Sequence, residues 1–530
     1  MMSLSFFRRA SWRNVSAALA LCLVSLPAAA QWNPAAGNWN KTDPSDLRVM
    51  TYNVEDGLCS TNAKAAGLTN WEALARIVAS FKPDVLLLQE CADNSGNGTG
   101  SGADSVSTME TVLDLFMHGG NDPFNGGAAV AAYVQLYAPS YDLPFVFVTG
   151  ITDGFNRNVI MSRYPFADLN GDGVDQLNDF LQLGDLYAPG VNGGIRGFMH
   201  VEIDLPDSTY AGDLVIGNSH LKAGGSSSDH NQRVAAGQNI AYYIDAMFNG
   251  LGGGVADPNS KILSPTATTL VSANTVVMAG GDWNEDELKN GLTKGPADWI
   301  TKAANTGGTD GTDRDRTDMT YEASQEFFTN SPFTQSSSKL DYISWQDSIA
   351  TLRLSFVYNS TPVPAGLEPP ELAGFFINPQ LASGIASDHR PVIADFQLPL
   401  TGGCVSVATD LGNGLAGTGG LLPALEACGD LSTGGTADFN LTDVLPGAPA
   451  FLVFSLNSVF APFSGGILVP APDFIIGPLI ADGNGEVQVA SVPGGGGAGP
   501  FDVYVQFVMV DAGAVAGRSM SNGILAHFQL

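Results

Sequence analysis

The sequence predicts an α+β fold followed by a β-sandwich-like C-terminal region, and two observations carry this prediction. The first is a strand–helix–strand unit near the N-terminus, followed by further strands with interspersed helices, many of them predicted to pair antiparallel. The second is a change of composition after Pro399, where basic residues almost disappear and Gly, Pro and β-branched residues become frequent. We therefore expect two parts, residues 31–400 and a Gly-rich module at residues 401–530.

The N-terminal stretch has the pattern of an export signal. Basic residues at positions 8, 9 and 13 precede an apolar run from Val15 to Leu26, and small residues follow from Ala28 to Ala30. The apolar run is short for a membrane helix. We therefore expect residues 1–30 to be a signal peptide and the mature protein to be secreted, without stable membrane insertion.

Composition limits the classes of function. The chain has 530 residues, enough for more than one domain, and its hydrophobic content of 44% is ordinary for a globular protein. The formal net charge of −30 argues against broad electrostatic attraction to nucleic acid or anionic membranes. It leaves open an enzyme that meets a phosphate locally, through a metal ion and a few basic side chains.

The strand–helix–strand unit covers residues 47–90. Leu47–Val54 alternates in strand-forming residues, and Trp71–Phe81 carries apolar residues at helical spacing. Val85–Leu88 is a second, apolar strand. Asn53 and Glu90 therefore lie at strand ends, where open α/β sheets place their sites.

Further elements are expected in order along the chain. Helices are expected at Met109–Met117 and Asn231–Phe248. Strands are expected at Phe145–Thr149, Asn158–Met161, Arg196–Ile203, Asp213–Gly217, Val276–Ala279, Lys339–Trp345 and Val392–Phe396. The C-terminal region is expected to contain strands at Ala450–Leu456, Gly466–Val469 and Val503–Val510, and it offers no catalytic constellation.

The segment Val276–Glu285 carries the clearest polar pair. Its apolar run ends in two glycines, and Asp282 and Asn284 follow. Strand residues two apart point to the same side, so both side chains are predicted to face one spot past the strand's end. A carboxylate and an amide there suit a hard cation or an activated water. The alternative is an ordinary surface turn.

The polar residues at predicted strand ends suit the hydrolysis of a phosphate ester. They are Asn53, Glu90, Arg196, His220, Asp282, Asn284, Asp341, Asp388 and His389. Carboxylates such as Glu90 are the oxygen ligands that Mg²⁺ prefers, and a histidine near neutral pKa suits acid–base work. Arg196 and Lys222 suit phosphate oxygens. For each residue the alternative is a capped turn or a hydrogen-bonded structural side chain.

Six short motifs contain these residues in one order along the chain. They are TYNV with Asn53, LLQE with Glu90, NSHL with His220, GDWN with Asp282 and Asn284, LDYI with Asp341, and SDHRP with Asp388 and His389. With these motifs the chain resembles the endonuclease/exonuclease/phosphatase superfamily, the deoxyribonuclease I-like fold, over Leu47–Pro399. The resemblance implies a four-layered α/β sandwich with a divalent-metal site, for Mg²⁺ or Mn²⁺.

The resemblance also implies metal and phosphate ligands. Glu90 would be the main metal ligand with Asn53 beside it, and Asp388 would bind a second metal. Arg196, and Lys222 in the motif HLKAG, would bind the substrate phosphate.

Five residues receive catalytic roles from the same resemblance. Asp282 would orient or deprotonate the attacking water, and Asn284 would hold the phosphate. Asp341 would orient His389 towards the phosphate, and His220 would be the second catalytic histidine. The family's mid-chain Tyr or Glu has no clear match, because residues 93–141 diverge.

The expected function is a secreted, divalent-metal-dependent phosphodiester hydrolase, and an extracellular nuclease acting on DNA or RNA is the first interpretation. Within the same fold, the alternative is a phospholipase C, a sphingomyelinase or a phosphomonoesterase. From another class, the alternative is a catalytically silent surface or adhesion protein. Intact Glu90, Asp282, Asp388 and His389 argue against that last reading.

Two further features lie outside these motifs. The loop from Asp168 to Asp179 has oxygen donors at the positions of a calcium loop, with Gly173 at position 6; the donors are Asp168, Asn170, Asp172 and Asp179. The alternative is an acidic, solvated loop. After removal of the signal peptide four cysteines remain, and we expect the disulfides Cys59–Cys91 and Cys404–Cys428. The alternative is unpaired, buried thiols.

Overall fold

A computed structural model describes most of the chain. The described residues are 32–60, 64–93, 98–99, 102–171, 173–179, 197–244, 271–289, 294–301, 319–376, 378–401, 407–482, 485–495 and 500–528. Helices α1 to α6 are Asn70–Phe81, Val106–His118, Tyr133–Tyr137, Ser227–Tyr243, Pro296–Ile300 and Ala382–Ala386. The predicted signal peptide lies outside these residues, and no described helix has the length and apolarity needed to span a membrane.

Twenty-five strands are described. Strands β1 to β14 are Leu47–Asn53, Val85–Gln89, Gly120–Asp122, Ala128–Val130, Phe145–Val148, Val159–Ser162, Gln176–Asp179, Phe198–Ile203, Leu214–His220, Val276–Asp282, Met319–Tyr321, Asp341–Gln346, Thr351–Val357 and Val392–Gln397. Strands β15 to β25 are Ala408–Gly412, Ala424–Gly429, Thr436–Thr442, Pro449–Ser455, Ser458–Phe463, Gly466–Pro470, Phe474–Ile480, Val487–Pro493, Phe501–Val510, Arg518–Met520 and Gly523–Phe528.

Two six-stranded sheets form the first part of the chain. The strand order of the first sheet is β13-β14-β1-β2-β6-β5, and that of the second is β11-β12-β10-β9-β8-β7. The pair β1–β2 and the pair β9–β10 are parallel, and their neighbours are antiparallel. The predicted strand–helix–strand unit is therefore confirmed, and the strands expected at Arg196–Ile203 and Asp213–Gly217 are present as the antiparallel pair β8 and β9.

Apolar side chains form separate cores on the two sides of these sheets. Helices α1 and α2 bury Trp71 and Phe116 against one face of the first sheet, and the other face meets the second sheet through residues such as Val49 and Met278. The second sheet carries α4 and α5 on its remaining face, where Ile240 is buried. A four-layered sandwich requires these contacts, and the layer count itself stays a prediction.

Strand ends differ from their predicted positions next to the site. Strand β9 continues to His220, and β10 continues through its two glycines to Asp282. Helix α4 begins at Ser227 rather than Asn231, because Ser226 and Asp229 form a reciprocal capping box. The predicted end of this helix, at Phe248, lies outside the described residues.

The C-terminal strands form further sheets. The longest has the order β15-β25-β23-β18-β21, with β24 paired to β23, and a three-stranded sheet has the order β16-β17-β22. Apolar side chains from both sheets, such as Phe439 and Phe507, share one core. The three strands predicted here are present as β18, β20 and β23. The division into two domains and the β-sandwich-like description stay predictions.

The predicted Cys59–Cys91 disulfide is wrong. Both cysteines are free thiols, fully buried in the core beside α1 and α2. The Sγ atom of Cys59 lies 3.2 Å from the Sδ atom of Met109, and burial raises the pKa of both thiols. An even number of cysteines carries no information about the direction of each side chain. Cys404 lies outside the described residues, so its pairing with Cys428 stays a prediction.

Candidate active site

Strand pairing aligns the motif residues in two rows. In the second sheet, Asp282 pairs with His220 on one side and with Asp341 on the other, so three polar residues lie side by side on β9, β10 and β12. In the first sheet, Asn53 at the end of β1 pairs with Gln89 at the end of β2. The two rows meet at adjacent edges of the sheets and form one polar site.

A hydrogen bond from Asn53 joins the two rows. Its Nδ2 atom donates to Asp282 Oδ2 at 3.0 Å, while its Oδ1 atom accepts from the backbone N–H of Glu55 at 3.0 Å. Its backbone carbonyl accepts from Ser387 Oγ at 2.8 Å, and Ser387 Oγ in turn accepts from the backbone N–H of His389 at 3.0 Å. Asn53 thus fixes the relative positions of the Asp282 and His389 segments.

The turn after β10 sets the position of Asn284. Asn284 has a φ of 55°, and its N–H donates to Asp282 Oδ1 at 2.9 Å. Its Nδ2 atom donates to the carbonyl of Leu221 at 3.2 Å. The strand alternation used to predict one shared spot for Asp282 and Asn284 does not extend to Asn284, because β10 ends at Asp282 and the chain turns.

Trp283, between Asp282 and Asn284, anchors this turn in the core. Its indole Nε1 donates to Ser219 Oγ at 3.0 Å, and its ring stacks on Tyr342 with centroids 5.3 Å apart. The ring is fully buried. Packing of the intervening tryptophan therefore holds the two polar residues that flank it.

Asp341 and His389 form a buried pair. His389 Nδ1 lies 2.9 Å from Asp341 Oδ2, and its Nε2 atom lies 3.7 Å from Asp282 Oδ2. Burial by itself lowers the pKa of His389, but the carboxylates of Asp341 and Asp282 outweigh that effect and raise the pKa above its usual value. The pair favours an imidazolium whose Nε2–H points into the site.

Glu90, His220 and Asp282 form a cluster with the donor atoms of a metal site. One ligand atom from each lies within 4.8 Å of the others. His220 Nε2 lies 3.6 Å from Glu90 Oε1 and 3.3 Å from Asp282 Oδ2. Burial raises the pKa of Asp282, so a cation beside it would restore its ionised form. The two carboxylates supply oxygen ligands that suit Mg²⁺ or Mn²⁺, whereas an imidazole is a ligand of softer divalent cations.

Asp388 lies at the margin of this cluster. Its side chain is about half exposed, its Oδ1 atom lies 4.0 Å from His389 Nε2, and its Oδ2 atom accepts from Gln335 Nε2 at 2.7 Å. Its backbone N–H donates to Glu55 Oε2 at 2.8 Å. Among the described residues, the groups with metal-ligand spacing do not include Asp388. Its role at a second metal stays a prediction.

The structure places the ammonium of Lys222, one of the two predicted phosphate-binding groups, against Ala223 and Asp229. The Lys222 ammonium donates to the carbonyl of Ala223 at 2.7 Å and lies 3.4 Å from Asp229 Oδ1. Its loop is held by Arg233, which donates to the carbonyl of Lys222 at 2.8 Å and pairs with Glu285. Arg196 lies outside the described residues, so its role stays a prediction.

The predicted calcium loop is flanked by strands rather than helices. Asp168 Oδ2 accepts from the N–H of Gly173 at 2.9 Å, and the N–H of Asn170 donates to Glu202. Asp179 belongs to β7 and pairs with β8. Asp172 lies outside the described residues, and calcium binding stays a prediction.

Several residues of the site were not predicted from the sequence. Glu55 accepts the Asp388 N–H, and burial followed by repulsion from Asp388 raises the pKa of its carboxyl. Asn218 joins the sheets, since its Nδ2 donates to the carbonyls of Leu88 and Val159 and its Oδ1 accepts from Gln89. Asn218 belongs to the motif NSHL and Gln89 to the motif LLQE. Their position in these motifs, next to His220 and Glu90, could have identified them as site residues.

Comparisons with known proteins agree with this architecture. A family model, described as the Endonuclease/Exonuclease/phosphatase family, matches residues 50–389. A search of curated proteins gives no match.

Three solved structures illustrate the range of similar proteins. An endonuclease/exonuclease/phosphatase from Beutenbergia cavernae DSM 12333 is 16% identical, covering 90% of this chain and 99% of its own, with a TM-score of 0.34. D. rerio TDP2 complexed with single strand DNA product is 13% identical, covering 67% and 99%, with a TM-score of 0.34. Sphingomyelinase C from Streptomyces griseocarneus is 14% identical, covering 66% and 99%, with a TM-score of 0.34.

The family match spans well over half of the chain, and the matched segment contains the candidate site residues of all six motifs. Members of this family generally hydrolyse phosphoester bonds. The chain therefore belongs to the Endonuclease/Exonuclease/phosphatase family and has its deoxyribonuclease I-like fold.

Proposed function

We propose that this protein is a secreted, divalent-metal-dependent phosphodiester hydrolase, and that it is an extracellular nuclease. The observation that carries the proposal is the row His220–Asp282–Asp341, in which Asp282 belongs both to the cluster with Glu90 and His220 and to the group with Asp341 and His389. Secretion rests on the N-terminal sequence pattern alone.

Glu90 would be the main ligand of Mg²⁺ or Mn²⁺, within reach of His220 and Asp282, and the metal would neutralise charge that builds up on the phosphate and its leaving oxygen. Asp282, fixed by Asn53, accepts a proton from the attacking water. His389, fixed by Asp341, donates through Nε2 to a phosphate oxygen. Each of these two residues thus has one partner that orients it and one face towards the substrate.

A second candidate is a phospholipase C or sphingomyelinase activity. The net charge of −30 favours it, because an acidic protein repels a polyanion such as DNA but tolerates a zwitterionic head group. The two candidates share the metal and the catalytic residues, so they differ only in substrate.

One panel tests both candidates. Full-length protein is incubated with plasmid DNA, RNA, sphingomyelin and a phosphomonoester, with Mg²⁺, Mn²⁺ or Ca²⁺ and with EDTA. We expect cleavage of a nucleic acid with Mg²⁺ or Mn²⁺, and its loss with EDTA and in the variants Glu90→Ala and His389→Ala. The exposed Asp207→Asn serves as the matched control. Undiminished activity in Glu90→Ala or His389→Ala contradicts the mechanism, and hydrolysis of sphingomyelin alone selects the second candidate.

A further inference from the structure

The C-terminal strands enclose an apolar cavity that the phosphoester site does not use. Its volume is about 330 Å³, within the range of small-molecule sites. Strands β18, β21 and β23 of the longest C-terminal sheet form one wall, and β17 and β22 of the three-stranded sheet form the other. Two stacked pairs contribute to the lining, Phe454 with Phe474 and Phe501 with Phe528, with centroids 5.2 and 4.9 Å apart.

The mouth of this cavity consists of apolar side chains that remain in solvent. Leu456 is 60% exposed, Phe474 is 56% exposed and Ile476 is 46% exposed, and all three line the cavity. A single exposed apolar side chain is ordinary, but several on one concave wall mark a surface that binds something apolar.

The lining has no free hydrogen-bonding group to orient a polar ligand. Ser455 is the one polar side chain among the described lining residues, and its hydroxyl donates to Asp473 Oδ2 at 2.5 Å. Ser455 Oγ also accepts from the backbone N–H of Asn457 at 2.9 Å. The part of a ligand that enters the cavity is therefore hydrocarbon.

Acidic side chains near the cavity limit the charge of the ligand's head group. Asp473 and Asp502 directly adjoin the lining residues Phe474 and Phe501, and His527 pairs with Asp502 at 2.5 Å. Arg518 is the only Lys or Arg between residues 403 and 530. A negatively charged head group would meet Asp473 without a compensating cation.

We propose that this cavity binds one aliphatic chain of an amphiphile whose head group carries no negative charge. The concave shape accepts a single chain, the apolar lining desolvates it, and the carboxylate at the mouth discriminates against anionic heads. The site is separate from the phosphoester chemistry, so its test does not require hydrolytic activity.

The ligand class is tested with the full-length protein and the uncharged probe N-phenyl-1-naphthylamine, whose fluorescence rises in apolar sites. The probe is displaced with n-alkyl maltosides of increasing length, each below its critical micelle concentration, and with laurate. We expect one probe per chain and maltoside affinity that rises by about fourfold per methylene until the cavity is full. Laurate should bind more weakly than the maltoside of equal chain length. Absence of probe binding, or affinity independent of chain length, overturns the proposal.

Three variants locate the site. Leu456→Asp and Phe474→Asp introduce a charge at exposed positions of the mouth and should each weaken binding by about tenfold or more. Val515→Asp changes an exposed valine outside the lining and should leave affinity unchanged. Circular dichroism identifies any variant that misfolds, and the chain-length series on the unmodified protein decides independently. Equal binding by all three variants, or binding to phosphatidylcholine vesicles without binding to monomeric maltosides, overturns the proposal.

Discussion

The carboxylate of Asp341 is the group on which the orientation of His389 depends. Its Oδ2 atom meets His389 Nδ1 at 2.9 Å, and its backbone N–H donates to Thr334 Oγ1 at 3.2 Å. Both the carboxylate and the imidazole are buried. A pair with this geometry fixes the ring and favours its charged form, so the catalytic effect of Asp341 acts through the histidine.

The substitution Asp341→Asn tests this dependence. It keeps the shape of the side chain but removes the charge that favours the imidazolium, so we expect kcat to fall by about 100-fold or more with little change in KM. The measurement is steady-state hydrolysis of the substrate found in the panel, with Asp207→Asn as the control. Near-normal kcat in Asp341→Asn would show that His389 needs no partner.

His200 makes the stability depend on pH. It is fully buried on β8, and burial lowers its pKa from 6.5 to about 3. The unfolded chain binds a proton there below pH 6.5 while the folded chain does not, so stability is present above 6.5 and is lost as pH falls towards 3.

We expect the His200 contribution to fall by about 1.4 kcal/mol per pH unit in that window. Urea unfolding of the unmodified protein and of His200→Gln at pH 7.5, 6 and 5 measures it, because other titrating groups cancel in the difference. The gap between the two proteins should change in favour of the variant as pH falls. Parallel profiles would contradict the assignment.

Site residues that follow an apolar run can be predicted from the sequence. Site residues that reach the site only through the folding of the chain cannot. Asp282 and Glu90 were predictable because each lies within three residues of the end of an apolar run that reads as a strand. Glu55 and Gln335 contact Asp388 through the folded chain, and neither has a periodic or local signal. The free thiol of Cys59 was only the alternative prediction for the same reason, since its environment is set by α2 rather than by its neighbours in sequence.

At the scale of elements, the close pairing of β9 with β10 depends on Gly281. Its φ is 139°, and a Cβ atom built there lies 1.9 Å from the carbonyl oxygen of Ser219 on β9. His220 and Asp282 are the next residues on these two strands. The apolar run predicted strand β10, but the requirement for glycine at position 281 arises only from the distance between β9 and β10.

Gly281→Ala should destabilise the protein and disturb the site together. The strained φ costs about 1 kcal/mol, and the overlap with Ser219 adds about 2 kcal/mol by pushing the strands apart. Gly154→Ala is the matched control, because Gly154 also has a positive φ, of 89°, but a Cβ atom there meets nothing within 4 Å. Denaturant unfolding of both variants separates the cost of the positive φ from the cost of the overlap with Ser219. Equal losses of unfolding free energy in the two variants would mean that the overlap relaxes without cost.

At the scale of the whole molecule, charge opposes the first candidate substrate. The chain has 53 acidic and 23 basic residues, a formal net charge of −30. Proteins that bind DNA through a basic face lose affinity as salt rises, because they release counterions. An acidic enzyme that binds DNA at one small site has the reverse dependence, because salt screens the repulsion that slows their encounter.

We therefore expect kcat/KM on plasmid DNA to increase as NaCl is raised from about 10 to about 150 mM at constant Mg²⁺, since the Debye length shortens from about 30 Å to about 8 Å. Bis(p-nitrophenyl) phosphate carries one charge, so its kcat/KM should change much less and serves as the control for effects of salt on the site itself. A steady fall for DNA, with the small substrate unaffected, would mean that a local basic surface dominates the encounter. Residues outside the described ranges, Arg196 first among them, would then be the place to search for that surface.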